Sequence, residues 1–259
     1  FYYNLKNMRK EDKYKVEKDE ILSIFNENKG RYGYRRITLE MRNRGYIINH
    51  KTVARLMQIM GLQSIQRPKR RYNSYQGIIG KIADNLLKRD FKADKPNQKW
   101  ATDVTEFRVN NDKLYLSPIV DLFNGEVISF NLSRHPVFNQ VVDMLEKAFD
   151  KIPDNTNLIL HSDQGWQYQM KQYQYLLEQK GIRQSMSRKG NCYDNCIMET
   201  FFGRLKNEMY YGYEKDYSSF EEFSKAVEEY IDYYNNRRIQ AKTKWMPPVQ
   251  YRIASMCSA

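Results

Sequence analysis

The chain has 259 residues, enough for one large domain or two smaller ones around a sizeable core. Its formal net charge of +12 is uneven: residues 1–95 hold 23 Lys and Arg against 10 Asp and Glu, whereas residues 96–259 hold 20 against 21. No run approaches the roughly 18 apolar residues of a membrane span, the charged first residues hold no secretion segment, and three cysteines cannot build a disulfide framework.

A basic arm beside a near-neutral body reads as a nucleic-acid grip attached to a catalytic or scaffold unit, with a merely solubilising face as the plainer alternative. A chain opening at Phe1 is expected to be part of a longer translation product. Cys192 and Cys196 hint at a metal pair, but no second pair or nearby His completes four ligands. They are expected to be small packing residues of a reduced, cytoplasmic protein with no membrane partner.

Residues 19–61 read as three short helices. Ile21, Ile24 and Phe25 mark the first, which ends before Gly30. Tyr34, Ile37 and Met41 mark the second, closed by Gly45. Asn49 caps the third, where Val53, Leu56, Met57 and Met60 recur at helical spacing until Gly61. Its opposite face carries Lys51, Arg55 and Gln58 at i, i+4 and i+7. Residues 1–62 thus resemble a helix-turn-helix module whose last helix meets DNA; a solvated basic face is the other reading. Residues 63–95 read as a basic linker. Within it Arg67, Lys69, Arg70 and Arg71, interleaved with Tyr72 and Tyr75, suit phosphates or simply solvate a connector. A weak helix is expected around Ile82–Leu87.

From Trp100 the period changes. Trp100–Val109, Lys113–Asp121 and Glu126–Arg134 predict three antiparallel strands joined by the turn residues Asn110 to Asp112 and Asn124-Gly125. Pro118 counts against a regular central strand and suggests a bulge. A helix over Val137–Phe149, a strand over Asn157–Ser162, a helix over Lys171–Lys180 and a strand over Gly181–Ser185 follow. A polar loop, Ser187–Asn195, leads to a helix from Tyr193 or Asp194 to about Tyr210. Ser218 or Ser219 caps the last long helix, with Phe223, Val227, Tyr230, Ile231 and Tyr234 along its apolar stripe. The order β-β-β-α-β-α-β-α predicts an α/β ribonuclease-H-like core over 96–215, with 216–259 as a C-terminal helix and tail packed on it.

In that fold the middle of the first strand lies beside the end of the fourth, so Asp103 and Asp163 are expected to meet at a strand's carboxyl edge. Glu199 falls in the first turns of the next helix, with Lys206 two turns further along the same face. Three carboxylates from separate elements make a hard, oxygen-lined site for divalent metal. With 31 acidic residues in the chain, salt-bridge partners and caps are the competing reading, and Asp121, Asp143, Asp194 and Glu208 show how many others are available. Converging carboxylates should also push at least one carboxyl pKa above its usual value.

Four stretches resemble a known family: Trp100-Ala-Thr-Asp-Val-Thr, His161-Ser-Asp-Gln-Gly-Trp-Gln-Tyr, Asn191-Cys-Tyr-Asp-Asn-Cys-Ile-Met-Glu-Thr-Phe-Phe-Gly-Arg-Leu-Lys and Tyr233-Tyr-Asn-Asn-Arg-Arg. They are similar to the second-frame (OrfB-type) transposase of a bacterial insertion-sequence family with a retroviral-integrase-like core. The likeness covers almost the whole chain, including Gly30-Arg-Tyr-Gly-Tyr-Arg-Arg-Ile37, and the thirty-five residues between Asp163 and Glu199 match the family's spacing. Gln240 stands where many relatives have His.

The resemblance implies a DDE polynucleotidyl transferase in which Asp103, Asp163 and Glu199 bind Mg2+ or Mn2+, two ions in all. Such enzymes nick an element end by hydrolysis, and the freed 3′-hydroxyl attacks another phosphodiester. Lys206 matches the basic residue after the family's Glu; with Arg188 and Lys189 it is expected on DNA. Implied partners are double-stranded DNA (terminal inverted repeats and target), a homo-oligomer on that DNA, and an upstream-frame product fused to this one. The competing functions are a non-catalytic DNA-binding regulator and a ribonuclease-H-like nuclease.

Overall fold

The computed structural model describes residues 12–64, 81–110, 112–189 and 191–257. Arg67, Lys69, Arg70 and Arg71, expected on DNA, lie outside the described residues. The chain divides into two compact units, Phe1–Pro68 and Lys69–Ala259.

In the first unit the three expected helices form: α1 (Lys15–Glu27), α2 (Tyr34–Asn43) and α3 (His50–Ile59). Their apolar stripes close on one another, burying Ile21, Ile24, Ile37, Met41, Val53 and Leu56. Each such side chain contributes about 1.5–3 kcal/mol relative to exposure. Asn49 Oδ1 accepts the Lys51 N–H at 2.9 Å, the predicted cap of α3. Arg44, just past α2, pairs with Glu20 and Glu27 of α1 at 2.7 and 2.5 Å, which fixes how the two helices cross. Lys51, Arg55 and Gln58 are all exposed on α3, as their spacing requires.

The second unit is built on a six-stranded sheet: β1 (Lys99–Thr102), β2 (Thr105–Val109), β3 (Asp112–Asp121), β4 (Val127–Ser133), β5 (Ile159–Ser162) and β6 (Arg183–Met186). β4 runs antiparallel along one side of β3, and β1 and β2 share the other side. β5 joins β1 in parallel, and β6 joins β5 in parallel. Side chains of α4 (Phe138–Phe149) and α5 (Lys171–Lys180) bury one face with Trp100, Ile119 and Leu160. On the other, Phe107 meets Tyr210, which follows α6 (Cys196–Met209), and Phe223 of α7 (Phe220–Asn236), at ring-centroid distances of 5.2 and 5.3 Å. Ser219 caps α7 as expected, its Oγ accepting the Glu222 N–H. The arrangement is ribonuclease-H-like.

Three expectations need correcting. Trp100–Val109 is not one strand: it breaks at Asp103 and Val104. Thr102 pairs with Ile119 and Thr105 with Leu116, so the break at Asp103 sits opposite Pro118. The Asp121 N–H goes to Glu126 on the β4 side and the Leu122 N–H to Lys99 on the β1 side. By alternation position 118 faces Asp103, and proline has no N–H to give its carbonyl. β3 itself runs through Pro118 unbroken, and the bulge appears as a register shift against β4 between Ile119 and Val120.

Second, residues 82–87 form no helix. They lie along the free edge of β6: the Leu86 N–H donates to Ser185 Oγ at 2.9 Å, the Met186 N–H to the Asp84 carbonyl at 3.3 Å, and Leu87 is buried. An uncovered edge strand exposes unpaired backbone groups, and this segment covers it, so this part of the expected linker packs on the core.

Third, the tail holds a helix of its own, α8 (Pro248–Cys257), tied down by Arg252 to Glu126 at 2.7 Å. Cys257 is exposed on it, and Cys196, expected as a packing residue, is half-buried. Among the described residues, no helix is long and apolar enough to cross a membrane.

Candidate active site

β1 and β5 run parallel in the register Lys99 to Ile159 and Ala101 to His161. Carried two residues on, past the ends of both strands, that register sets Asp103 beside Asp163. The break at Asp103 frees its backbone from the ladder, and its Oδ1 accepts the Val104 N–H at 2.7 Å. Asp163 Oδ1 accepts the Gly165 N–H at 2.9 Å. A Cβ on Gly165 would stand 2.9 Å from that oxygen and 2.7 Å from Gln167 Nε2, so the turn needs glycine for close approach. A cleft of about 460 Å³ opens on both carboxylates, walled by Tyr115, Val137, Gln140 and Trp166.

Both residues are half-buried. Loss of hydration, then the neighbouring Asp163 charge, raises the Asp103 carboxyl well above the usual carboxylate range; Glu199 adds to this, and the Val104 N–H and Asn195 oppose it. Burial likewise raises Asp163, against the Gly165 N–H. Glu199 lies exposed in the first turn of α6, its carboxyl raised more simply by partial burial. No Lys or Arg is among the causes acting on any of the three. Two carboxylates therefore meet, and the third stands within Coulomb range of one of them. Among the described residues, no three His, Cys, Asp or Glu side chains are already grouped to hold a metal ion.

The cations expected on DNA fare unevenly. Arg188 places its Nε and Nη2 on Asp194 at 2.8 and 2.9 Å, so the guanidinium is already engaged in an ion pair. Lys206 donates to the Glu106 carbonyl at 3.1 Å and lies 4.9 Å from the Phe107 ring centre, turned onto β2 rather than standing free above Glu199. Lys189 is exposed. What sequence reasoning missed is Asn195, whose Nδ2 donates to Asp103 Oδ2 at 2.9 Å. Its signal was its place one helical turn before Glu199.

An integrase-type core on a ribonuclease-H-like sheet, with unpaired carboxylates at the strand ends, defines a polynucleotidyl transferase of the DDE type. The comparisons agree. Two family models, each described as Integrase core domain, match residues 93–192 and 199–256, and the HTH-like domain family matches 11–70. The chain is 55% identical to the "Putative transposase InsK for insertion sequence element IS150" of Escherichia coli (strain K12), over 97% of this chain and 88% of that one. It is 34% identical to the transposase for insertion sequence element IS904 of Lactococcus lactis subsp. lactis, over 94% and 97%. The HTLV-2 integrase catalytic core domain, solved in complex with magnesium in a trimeric form, superposes with a TM-score of 0.50 at 19% identity, over 61% of this chain and 97% of that one. This chain belongs to the insertion-sequence transposases.

Proposed function

We propose that Asp103, Asp163 and Glu199 are the catalytic carboxylates and that they hold two divalent ions, Mg2+ or Mn2+. The observation that carries this is the parallel register of β1 and β5, which sets two carboxyls side by side, neither in an ion pair among the described residues. An all-oxygen donor set of this kind fits a hard divalent ion, and the lost hydration and the repulsion that raise Asp103 are what such a charge offsets. Bound metal supplies the positive charge that activates an attacking water or 3′-hydroxyl and offsets the charge gathering on the phosphate.

The chain's own part is orientation. The Gly165 N–H holds one oxygen of Asp163, and Asn195 holds one oxygen of Asp103. Glu199, on the exposed first turn of α6, completes the trio by turning its side chain toward the pair. At an element end, water displaces the 3′ oxygen from phosphorus. The freed 3′-hydroxyl then attacks a second phosphodiester, one P–O bond forming as another breaks, without a protein-linked intermediate. The exposed Lys51, Arg55 and Gln58 face of α3 grips the terminal repeats. Holding two ends together asks for a homo-oligomer on DNA, joined to an upstream-frame product as the family resemblance implies.

The test is strand joining on linear DNA bearing the element's terminal repeats, with Mg2+. Joined product is expected. Tight DNA binding without breakage would leave a regulator instead, and preferential cleavage of RNA–DNA hybrid or branched DNA would leave a nuclease. On the binding side, Lys51→Ala and Arg55→Ala should each weaken repeat binding and shallow the log–log salt dependence by about 0.9 for each phosphate no longer neutralised. Unchanged affinity would move the grip off α3.

A further inference from the structure

Asp194 lies one residue before Asn195, and its side chain has no exposure to solvent. Its carboxylate takes five N–H donors. Three come from Arg188: Nε at 2.8 Å, Nη2 at 2.9 Å and the backbone N–H at 3.1 Å. The others are Asn85 Nδ2 at 2.9 Å, from the segment that covers β6, and Arg89 Nε at 3.0 Å, just after it. The Asp194 carbonyl lies 3.0 Å from His161 Nε2, and His161 Nδ1 lies 2.8 Å from Ser185 Oγ. A carbonyl can only accept, so His161 donates from Nε2; burial lowers its pKa, and the neutral ring accepts a hydrogen bond from the Ser185 hydroxyl at Nδ1. Three segments thus converge on one residue: the edge cover, the loop after β6, and β5 itself.

The next residue shows what that fixation achieves. Asn195 is the N-cap of α6, a place where Asn ordinarily turns its side-chain oxygen onto the helix's first N–H groups. Here it makes no cap hydrogen bond. Its Nδ2 goes to Asp103 Oδ2, and its Oδ1 is buried without a hydrogen-bond partner. A buried acceptor is left without a partner to hold one carboxylate oxygen, a sacrifice common at functional sites. Asn195 can stay in that position only if the turn from 192 to 195 cannot roll back into a normal cap.

We propose that Asp194 is a positioning residue: by binding Arg188, Arg89 and Asn85 it locks this turn, so that Asn195 orients Asp103 for metal. The proposal rests on the reading of Asp103 and Asp163 as metal ligands given above. Asp194 is not itself a ligand, because both of its oxygens already face guanidinium groups. Partners that orient a metal-binding carboxylate commonly change metal affinity by about 10–100-fold when removed.

The experiment measures Mn2+ binding to the DNA-free full chain by electron paramagnetic resonance. Wild type should bind, and Asp103→Asn should not. Asp194→Asn and Asn195→Ala should each weaken binding by about tenfold. If Asp194 acts through Asn195, the double variant should be no weaker than either single one. Wild-type affinity in folded Asp194→Asn, or losses that simply add in the double variant, overturns the positioning role while leaving the metal site intact. Failure of wild type to bind, or unchanged binding by Asp103→Asn, sinks the metal reading and this inference with it. Should Asp194→Asn not fold, Arg89→Gln decides: severalfold weaker Mn2+ binding supports the proposal, and unchanged binding overturns it.

Discussion

The second unit treats its buried acidic groups in two ways. Glu208 is clasped by Arg238 at 2.6 Å, Glu126 by Arg252 at 2.7 Å and Asp194 by Arg188 at 2.8 Å. Asp103 and Asp163, at the ends of adjacent parallel strands, have only N–H donors, and burial raises both. In the first group each carboxylate is matched by a cation of the chain, and removing the cation exposes a cost. In the second the matching charge must arrive from outside. Asp121 shows that unpaired burial alone does not mark a site: it is fully buried, takes the Asn97 and Phe123 N–H groups and is raised by burial. What sets Asp103 and Asp163 apart is that two such carboxylates stand side by side at neighbouring strand ends.

The sharpest way to break this contrast is to neutralise one member of each group. Asp103→Asn should cut strand joining by on the order of 10²–10³-fold, the scale of a lost electrostatic contribution to the transition state, with DNA binding retained. It should also raise the melting temperature of the metal-free protein at neutral pH. The sign follows from linkage. A carboxyl whose folded pKa is raised stabilises fully below its unfolded pKa, near 4, and that contribution is lost as pH rises through the folded value. Asn cannot ionise, so it escapes the loss, and a plot of melting temperature against pH should flatten above pH 4. A variant that is both active and less stable would put Asp103 in the clasped group.

Arg238→Ala should do the opposite. Arg238 is 1% exposed and Glu208 only 11%, so removing the guanidinium strands a buried carboxylate at a cost of about 3–5 kcal/mol. Denaturant unfolding measures it, and joining per folded molecule should hardly change. Next in size comes Gly165→Ala. The added Cβ would stand 2.9 Å from Asp163 Oδ1 and push it by a few tenths of an ångström, so a severalfold fall in joining is expected. A higher Mg2+ requirement at unchanged DNA affinity would identify the carboxylate as the displaced group; normal metal dependence would not fit.

Much of this was readable from the residues. Helical spacing gave α1, α2 and α3 and the exposed Lys51, Arg55, Gln58 face, because a three-helix unit is decided by local periodicity. Strand order brought Asp103 to Asp163 because both lie on chain segments whose neighbours a ribonuclease-H-like order dictates. What stayed hidden depends on side chains far apart in sequence. Asn85 and Arg89 look like linker residues until β6 needs covering and Asp194 needs donors. Arg188 and Lys206 look like free cations until Asp194 and the Glu106 carbonyl claim them. Asn195 looks like the end of a polar loop until Asp103 claims its amide. Charge and spacing show which groups are available, whereas only packing shows which are already taken.

The smallest expected effect bears on how the unpaired group is made. Pro118 removes the one N–H that would reach the Asp103 carbonyl, and the strand opens there. Pro118→Val restores a donor at a β-branched residue suited to a central strand. β1 and β2 should then join through Asp103 and Val104, adding a ladder hydrogen bond worth about 0.5–1.5 kcal/mol. Joined strands would turn the Asp103 carboxyl from its Val104 and Asn195 donors toward a regular strand position. Stability should therefore hold or rise slightly while joining falls by a few-fold at saturating Mg2+. Hydrogen exchange supplies the control, because protection of the new backbone amide at position 118 shows that the ladder has closed. A protected amide together with undiminished joining would mean that the break at Asp103 is incidental to the site, and that the register of β1 with β5 alone sets the two carboxylates in place.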